Sequence, residues 1–352
     1  MFVNNTHYRT IWPNSSSRMV SIIDQTKLPF CFQIVQIDSV EKMIHAISTM
    51  QVRGAPLIGA SAAYGVALAM INKVDDAYLW LAAKQLIASR PTAVNLAWAV
   101  NRMVAHLTTI APAERLHVAW QEAAKIADED VEQNKMIGQH GLTLIQRLHQ
   151  HKTFNILTHC NAGWLATVDF GTALSPIYAA HDAGLAIHVW VDETRPRNQG
   201  ASLTAWELGQ HGVPHTVISD NAGGHLMQQG QVDMVIVGAD RVAVNGDVCN
   251  KIGTYLKALA AYDNQIPFYA AVPSPTIDAE LAHGDNIEIE ERHQDEVAYM
   301  QGHTADGSVQ TIRVMPAESK AANPAFDVTP ARLVTGIITE KGVFTPSNLS
   351  QG

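Results

Sequence analysis

The sequence predicts an α/β protein: a Rossmann-like, doubly wound parallel sheet domain preceded by a smaller N-terminal domain of short strands and helices. Two observations carry this. Beyond residue 150, apolar strand-like runs alternate with helix-like stretches, the pattern of parallel strands joined by crossover helices. One of these runs, 234–237, is apolar, mostly β-branched and ended by Gly238, as suits a strand buried on both faces. The chain has 352 residues, enough for two domains. The expected division is 1–125, a β-ribbon plus helices, and 126–352, the sheet domain that carries the chemistry.

In order, residues 8–12, 20–23 and 30–37 read as short strands broken by Pro13, Asn14 and Pro29. Asp38 or Ser39 then caps a helix whose apolar positions Val40, Met43, Ile44 and Ile47 recur at helical spacing. Arg53-Gly-Ala-Pro-Leu-Ile-Gly59 opens an alanine-rich helix, with proline in its first turn. The apolar run 55–71 is shorter than the roughly 20 residues a membrane span needs and contains Gly59, Ser61, Tyr64 and Gly65. It is expected to be a helix inside a soluble protein. Pro91 is expected to open another helix, with Leu96, Val100, Met103 and Leu107 on its apolar face. Residues 112–149 form a long helix leading into the second domain, and the acidic cluster 128–132 is a solvated face. Strands follow at 155–158, 186–191, 213–218, 234–237 and 268–272, with helices at 172–182 and 202–210.

Composition removes several function classes. A net charge of −9 argues against a nucleic-acid surface, yet leaves room for a small anion held by local loops. Cys31, Cys160 and Cys249 form no CxxC pair and no metal spacing, which suits a reducing cytoplasm. The N-terminus has no basic segment followed by an apolar one, so no signal peptide is expected. GxGxxG, GxxxxGK[ST], GxSxG and HExxH are all missing. Neither a metal nor a cofactor is expected.

Polar clusters mark three strand ends, where open α/β sheets bind ligands. The first is Thr158-His-Cys-Asn-Ala-Gly163; Cys160 before a helix would have a lowered pKa, although a free cysteine is commonly an inert core residue. The second, Asp192-Glu-Thr-Arg-Pro-Arg-Asn-Gln-Gly200, suits a sugar or phosphate, or is a solvated loop. The third delivers Asp240, followed by a polar loop with Asn250 and Lys251; alone, these read equally well as a helix cap and a solvated lysine. Arg53 beside free amides at a helix start, with Gly54 admitting a close ligand, makes a phosphate cradle, or a tight turn with a surface arginine. Arg90 repeats the arrangement. One acid, one thiol and several anion-binding groups fit proton transfer on a phosphorylated small molecule.

At these residues the sequence resembles the methylthioribose-1-phosphate isomerases, a family that shares its superfamily with ribose-1,5-bisphosphate isomerases and regulatory subunits of the eukaryotic initiation-factor exchange complex. The resemblance rests on Arg53-Gly-Ala-Pro-Leu-Ile-Gly59, Arg90-Pro-Thr-Ala-Val-Asn-Leu96, Thr158-His-Cys-Asn-Ala-Gly163, Asp192-Glu-Thr-Arg-Pro196, Gln199-Gly-Ala201, Gly238-Ala-Asp-Arg241 and Asn250-Lys-Ile-Gly-Thr-Tyr255. Pro324-Ala-Phe-Asp-Val-Thr-Pro330 and Thr339-Glu-Lys-Gly342 extend it nearly to the end, in family order.

The resemblance implies an aldose–ketose isomerase of methionine salvage, turning 5-methylthioribose 1-phosphate into 5-methylthioribulose 1-phosphate. The anomeric oxygen carries phosphate, so the ring cannot open as a free hemiacetal does; an acid must help break it, and hydrogen must then move from C2 to C1. By resemblance Asp240 is the acid and Cys160 the proton carrier, with a hydride shift as the variant. Arg53, Gly54, Ala55, Arg90, Gln199, Asn250 and Lys251 would hold the phosphate and hydroxyls; Arg195 and Arg197 are added candidates. A cytoplasmic homodimer is implied, with a sugar 1-phosphate as substrate and no nucleic acid or membrane partner. One stretch departs from the family: Asp220-Asn-Ala-Gly-Gly-His-Leu-Met227 has Ala222, Gly223 and Gly224 where a methionine and alanines are usual. This opens 5-deoxyribose 1-phosphate as an alternative or additional substrate. A non-catalytic, nucleotide-sensing subunit is the other class, and one that would not need Cys160 and Asp240 together.

Overall fold

The computed structural model describes residues 1–14, 17–149 and 153–351. The large sheet has seven strands in the spatial order Gly342–Phe344, Gly336–Thr339, Phe268–Ala271, Met234–Val237, Phe154–Thr158, Ile187–Asp192, His215–Ile218. Neighbours are parallel except the edge pair Gly336–Thr339 and Gly342–Phe344, a short antiparallel return. The α/β expectation holds. Met234–Val237 is buried throughout, as its apolar run requires.

Strand order decides where a site can form. From Phe154–Thr158 the chain first winds one way, to Ile187–Asp192 and His215–Ile218. It then returns to the other flank of the first strand, to Met234–Val237 and Phe268–Ala271. The carboxyl ends of Phe154–Thr158 and Met234–Val237 therefore flank the switch point, where doubly wound sheets open a crevice. Cys160 and Asp240 lie two and three residues beyond those ends.

A second sheet corrects one expectation. The segment after Asp240 is not a polar loop but a hairpin, Arg241–Ala243 with Val248–Lys251, in a four-stranded sheet with Ile277–Asp278 and Phe326–Thr329. Asn245-Gly246 turns it, with Gly246 at φ +87, a conformation that favours glycine. Asn250 and Lys251 are thus strand residues, opposite Asp327 and Phe326.

The N-terminal strands are Ile11–Asn14, Met19–Ile23 and Ile34–Ile37. Pro13 lies within the first, an edge strand where a missing N–H is tolerated. Ser39, rather than Asp38, caps the helix Val40–Ser48 by accepting from the Lys42 N–H at 3.3 Å. Ala55–Asn72 is the helix long and apolar enough to cross a membrane, but 83% of it is buried among neighbouring helices. The helix expected from Pro91 starts instead at Val94. A residue before proline is pushed out of the helical region, and Arg90 sits at φ −157, ψ 79; a turn closed by the Ala93 N–H on the Arg90 carbonyl then precedes the helix.

Pro112–Leu148 is one continuous helix of 37 residues, and residue 125 lies inside it. Its Ala119, Ala123 and Ile126 belong to the N-terminal core, Ile137 and Ile145 to the core beneath the sheet. The acidic cluster 128–132 is therefore not wholly the solvated face expected: Asp128 and Glu132 are exposed, but Asp130 is buried between the two cores, where its carboxylate accepts from the Val168 N–H at 2.7 Å. Burial, with Asp169 nearby, pushes its pKa from 3.8 to about 7. The folded state therefore binds this proton more tightly than the unfolded chain. The associated stability is complete below about pH 4 and is lost as pH rises to about 7, by up to ~4 kcal/mol. Asp130→Asn keeps an acceptor for Val168 and has no proton to lose. Urea unfolding between these pH values should show the wild type weakening relative to the variant; parallel curves would refute the assignment.

Candidate active site

Cys160 sits beyond its strand in a left-handed conformation, φ +65. Two threonines hold it there. The Cys160 N–H donates to Thr194 Oγ1 at 2.8 Å, and Thr204 Oγ1 donates to the Cys160 carbonyl at 2.7 Å. No helix starts at this turn; a short 3₁₀ segment begins only at Trp164. The expected lowering of the thiol pKa by a helix end is therefore not what the site shows. Burial pushes the thiol up, while Arg53 and Lys251 pull it back and Asp240 adds to the rise.

Asp240 is followed directly by the strand Arg241–Ala243, so it caps no helix. Its own N–H donates to the Cys249 carbonyl at 2.9 Å, which fixes it to the hairpin. Burial pushes its carboxyl up against the opposing pull of Lys251, Arg90 and Arg53. Lys251 is 8% exposed, donates to the Ala325 carbonyl at 2.8 Å and lies 4.6 Å from the centre of the Phe326 ring. Burial lowers its pKa, and Cys160 and Asp240 oppose that. The thiol, the carboxyl and the ammonium thus act on one another across the switch point.

Two cavities flank this group. One, of about 330 Å³, is lined by Ala55, Arg90, Asp240, Arg241, Glu288 and Phe326 among others. The other, of about 360 Å³, takes Arg53, Arg197 and Gln199, with apolar walls from Leu28, Phe30, Met50 and Leu203. Arg53 is clamped on Asn161, donating to its side-chain oxygen at 2.7 Å and its carbonyl at 2.8 Å. The Nε of Arg90 and the Oε1 of Gln199 are buried without a partner, an arrangement that suits a polar ligand. Gly200, next to Gln199, has no alternative: a Cβ there would lie 1.7 Å from the Asp192 carbonyl oxygen.

The other expected residues divide. Gly54 starts the helix at φ +89, and a Cβ there would lie 2.5 Å from the Ala166 carbonyl oxygen, so the side of the residue away from the helix is closed to any larger side chain. Asn250 and Lys251 are successive strand residues and face opposite ways; the Asn250 amide donates to Thr254 Oγ1 at 3.0 Å. Arg195 is tied to backbone carbonyls, Val297 among them at 2.8 Å, and Arg197 to Glu296 at 3.0 Å.

Several contributors were missed in the sequence. Glu207 is fully buried and accepts from Asn161, Trp164, Leu165 and Tyr178, so it orders the turn after Cys160. Glu290 and Arg292 pair at 2.9 Å, and their charges reach Arg90; Glu290 also acts on Asp240, and Arg292 on Lys251. The alternation Ile287-Glu-Ile-Glu-Glu-Arg292 was the available signal.

Comparison with known proteins gives the family. The model of the Initiation factor 2 subunit family matches residues 51–346. A methylthioribose-1-phosphate isomerase of Acidiphilium cryptum is 62% identical over 346 residues, covering 97% of this chain and 94% of its own. Among solved structures, the 5-methylthioribose 1-phosphate isomerase of Pyrococcus horikoshii aligns with a TM-score of 0.85 at 42% identity, over 98% of this chain and 95% of that one. A chain described as the delta subunit of translation initiation factor eIF-2B from A. fulgidus aligns with a TM-score of 0.80 at 41% identity, over 97% of each. On this sequence identity, spread over almost the whole length, the chain belongs to the Initiation factor 2 subunit family and, within it, to the methylthioribose-1-phosphate isomerases, an enzyme branch.

Proposed function

We propose that the protein converts 5-methylthioribose 1-phosphate to 5-methylthioribulose 1-phosphate, with Asp240 as acid and Cys160 as proton carrier. The observation that carries this is the meeting of a buried thiol and a half-buried carboxyl, both pushed up by desolvation, with the cations Arg53 and Lys251 acting on both and Arg90 on the carboxyl. Asp240 gives its proton to the ring oxygen as the bond from C1 to that oxygen breaks, leaving a C1 cation stabilised by the phosphorylated oxygen. The Cys160 thiolate removes the C2 proton, and the C–H electron pair becomes the C1–C2 double bond. The Asp240 carboxylate then takes the proton of the 2-hydroxyl while the thiol returns its proton to C1, giving the ketone. Both groups end as they began. Arg53, Gly54, Ala55, Arg90, Gln199, Asn250 and Lys251 hold phosphate and hydroxyls in this reading, with a cytoplasmic homodimer as the working unit, a subunit count that sedimentation measures directly.

The apolar walls of the second cavity favour the methylthio substrate over 5-deoxyribose 1-phosphate. The departing residues Ala222, Gly223 and Gly224 lie at the start of the helix Ala222–Gln228 and line neither cavity. Gly223 packs on Leu157 and Lys257, where a Cβ would stand 3.0 and 3.1 Å away. An apolar pocket distinguishes a missing methylene-sized group by roughly 1–3 kcal/mol. The kcat/KM for 5-methylthioribose 1-phosphate should therefore exceed that for the 5-deoxy and ribose analogues by about ten- to a hundredfold. An inverted order would make 5-deoxyribose 1-phosphate the substrate, and no turnover of any of the three would remove the isomerase reading.

A further inference from the structure

His159 precedes Cys160 in the chain and is 1% exposed. Its ring joins two strand ends: Nδ1 lies 2.8 Å from Asp192 Oδ2, and Nε2 lies 2.8 Å from the Ile252 carbonyl oxygen. A carbonyl oxygen only accepts, so Nε2 carries a proton. Asp192 Oδ2 also accepts from the Lys257 ammonium, 3.2 Å away, and an oxygen that accepts from both sides makes Nδ1 a donor as well. Donor atoms of His159, Asp192 and Asp220 lie within 4.8 Å of one another, a grouping that could hold a metal ion. The Lys257 ammonium already provides the cation there.

The ring connects the two sheets. On one side is the turn after Phe154–Thr158, which carries Cys160; on the other is the end of Val248–Lys251, since Ile252 follows Lys251 directly. Gly253, at φ +102, leaves it room: a Cβ there would lie 2.9 Å from His159 Cε1. The two ends are not equally secure. Lys251 lies in a ladder opposite Phe326 and is tied to the Ala325 carbonyl. Cys160 lies outside any ladder, in a left-handed conformation secured by two threonine hydroxyls.

We propose that His159 is a positioning residue, a doubly donating strut that sets the spacing between the Cys160 turn and the Lys251 strand end. Its effect on turnover rests on the isomerase reading; the double donation rests on geometry alone. Without the strut the looser end moves, so catalysis suffers more than substrate binding.

The test uses the full chain with 5-methylthioribose 1-phosphate. His159→Phe keeps ring bulk and loses both donors, and His159→Gln keeps an amide donor. We expect kcat per folded molecule to fall about 100-fold or more in the Phe variant, with KM within about threefold and about tenfold of the loss recovered by Gln. In ¹⁵N spectra of the wild type at the assay pH, both nitrogens of His159 should carry a proton. A folded Phe variant with wild-type kcat overturns the proposal. Equal losses in both variants, with kcat and KM moving together, overturn it too, as does an unprotonated ring nitrogen. If the Phe variant does not fold, the Gln variant decides: a kcat loss at constant KM supports the strut, and an unchanged kcat overturns it. A wild-type protein that turns over no sugar 1-phosphate sinks the isomerase reading instead, and the spectra alone then decide the double donation.

Discussion

Asp240→Asn is expected to lower kcat by about 10³-fold or more, with KM within about threefold of the wild type. The substitution keeps the shape of the side chain and removes its acidic proton. In the wild type, desolvation raises the affinity of the carboxyl for that proton although Lys251, Arg90 and Arg53 oppose it. An amide cannot protonate the ring oxygen, while the proposed phosphate contacts of Arg53, Arg90 and Gln199 are untouched. The pH profile gives a second readout. A raised carboxyl pKa means that the active, protonated form is present at low pH and is lost as pH rises through the folded value, which sets the alkaline limb of kcat/KM in the wild type. The variant should lack that limb. Stability should not suffer, because the variant removes a partly desolvated group that costs free energy to ionise. A variant within about tenfold of the wild-type kcat, with the limb retained, would remove Asp240 as the acid.

Cys160→Ser is expected to cost about 10²- to 10⁴-fold in kcat. The thiol is already pushed up by burial, and only the pull of Arg53 and Lys251 makes its thiolate accessible. A serine hydroxyl is a far weaker acid, so the same two cations cannot ionise it. The hydrogen itself separates this route from a hydride shift. Turnover in deuterated water should place solvent deuterium at C1 of the product, at least in part, because a sulfur-bound proton exchanges. Product free of deuterium, together with a Ser variant of near wild-type rate, would mean that hydride passes directly from C2 to C1 and that Cys160 only shapes the cavity.

Much of the fold was legible where the pattern is local. Met234–Val237 and Phe154–Thr158 are short apolar runs, and short apolar runs between turn residues have few alternatives to a buried strand. Val40–Ser48 and Pro112–Leu148 followed from helical spacing and helix-forming residues. The hairpin after Asp240 was misread because Asn250 and Lys251 are polar; its Asn245-Gly246 turn was the overlooked signal. The start at Val94 rather than Pro91 depended on the restriction proline places on Arg90. Gly336–Thr339 closes one side of the parallel sheet but went unread.

The residues of the candidate site were legible as motifs, since Arg53, Arg90, Cys160, Gln199 and Asp240 each stand beside an element boundary or a turn visible in the order of residues alone, whereas Lys251 was expected in a loop and lies in a strand. That order determined the α/β class, the family and the chemical types available to the site. Tertiary structure alone decided how those groups behave. Cys160 was expected to be acidified by a helix that does not start there, and burial raises its pKa instead. The desolvation and the charges that set it come from Arg53, Asp240 and Lys251, which lie 80 to 107 positions away in the chain. A proton's affinity is fixed by solvent exclusion and by the charges within a few ångströms, and only the crossing of the chain at the sheet's switch point brings those together.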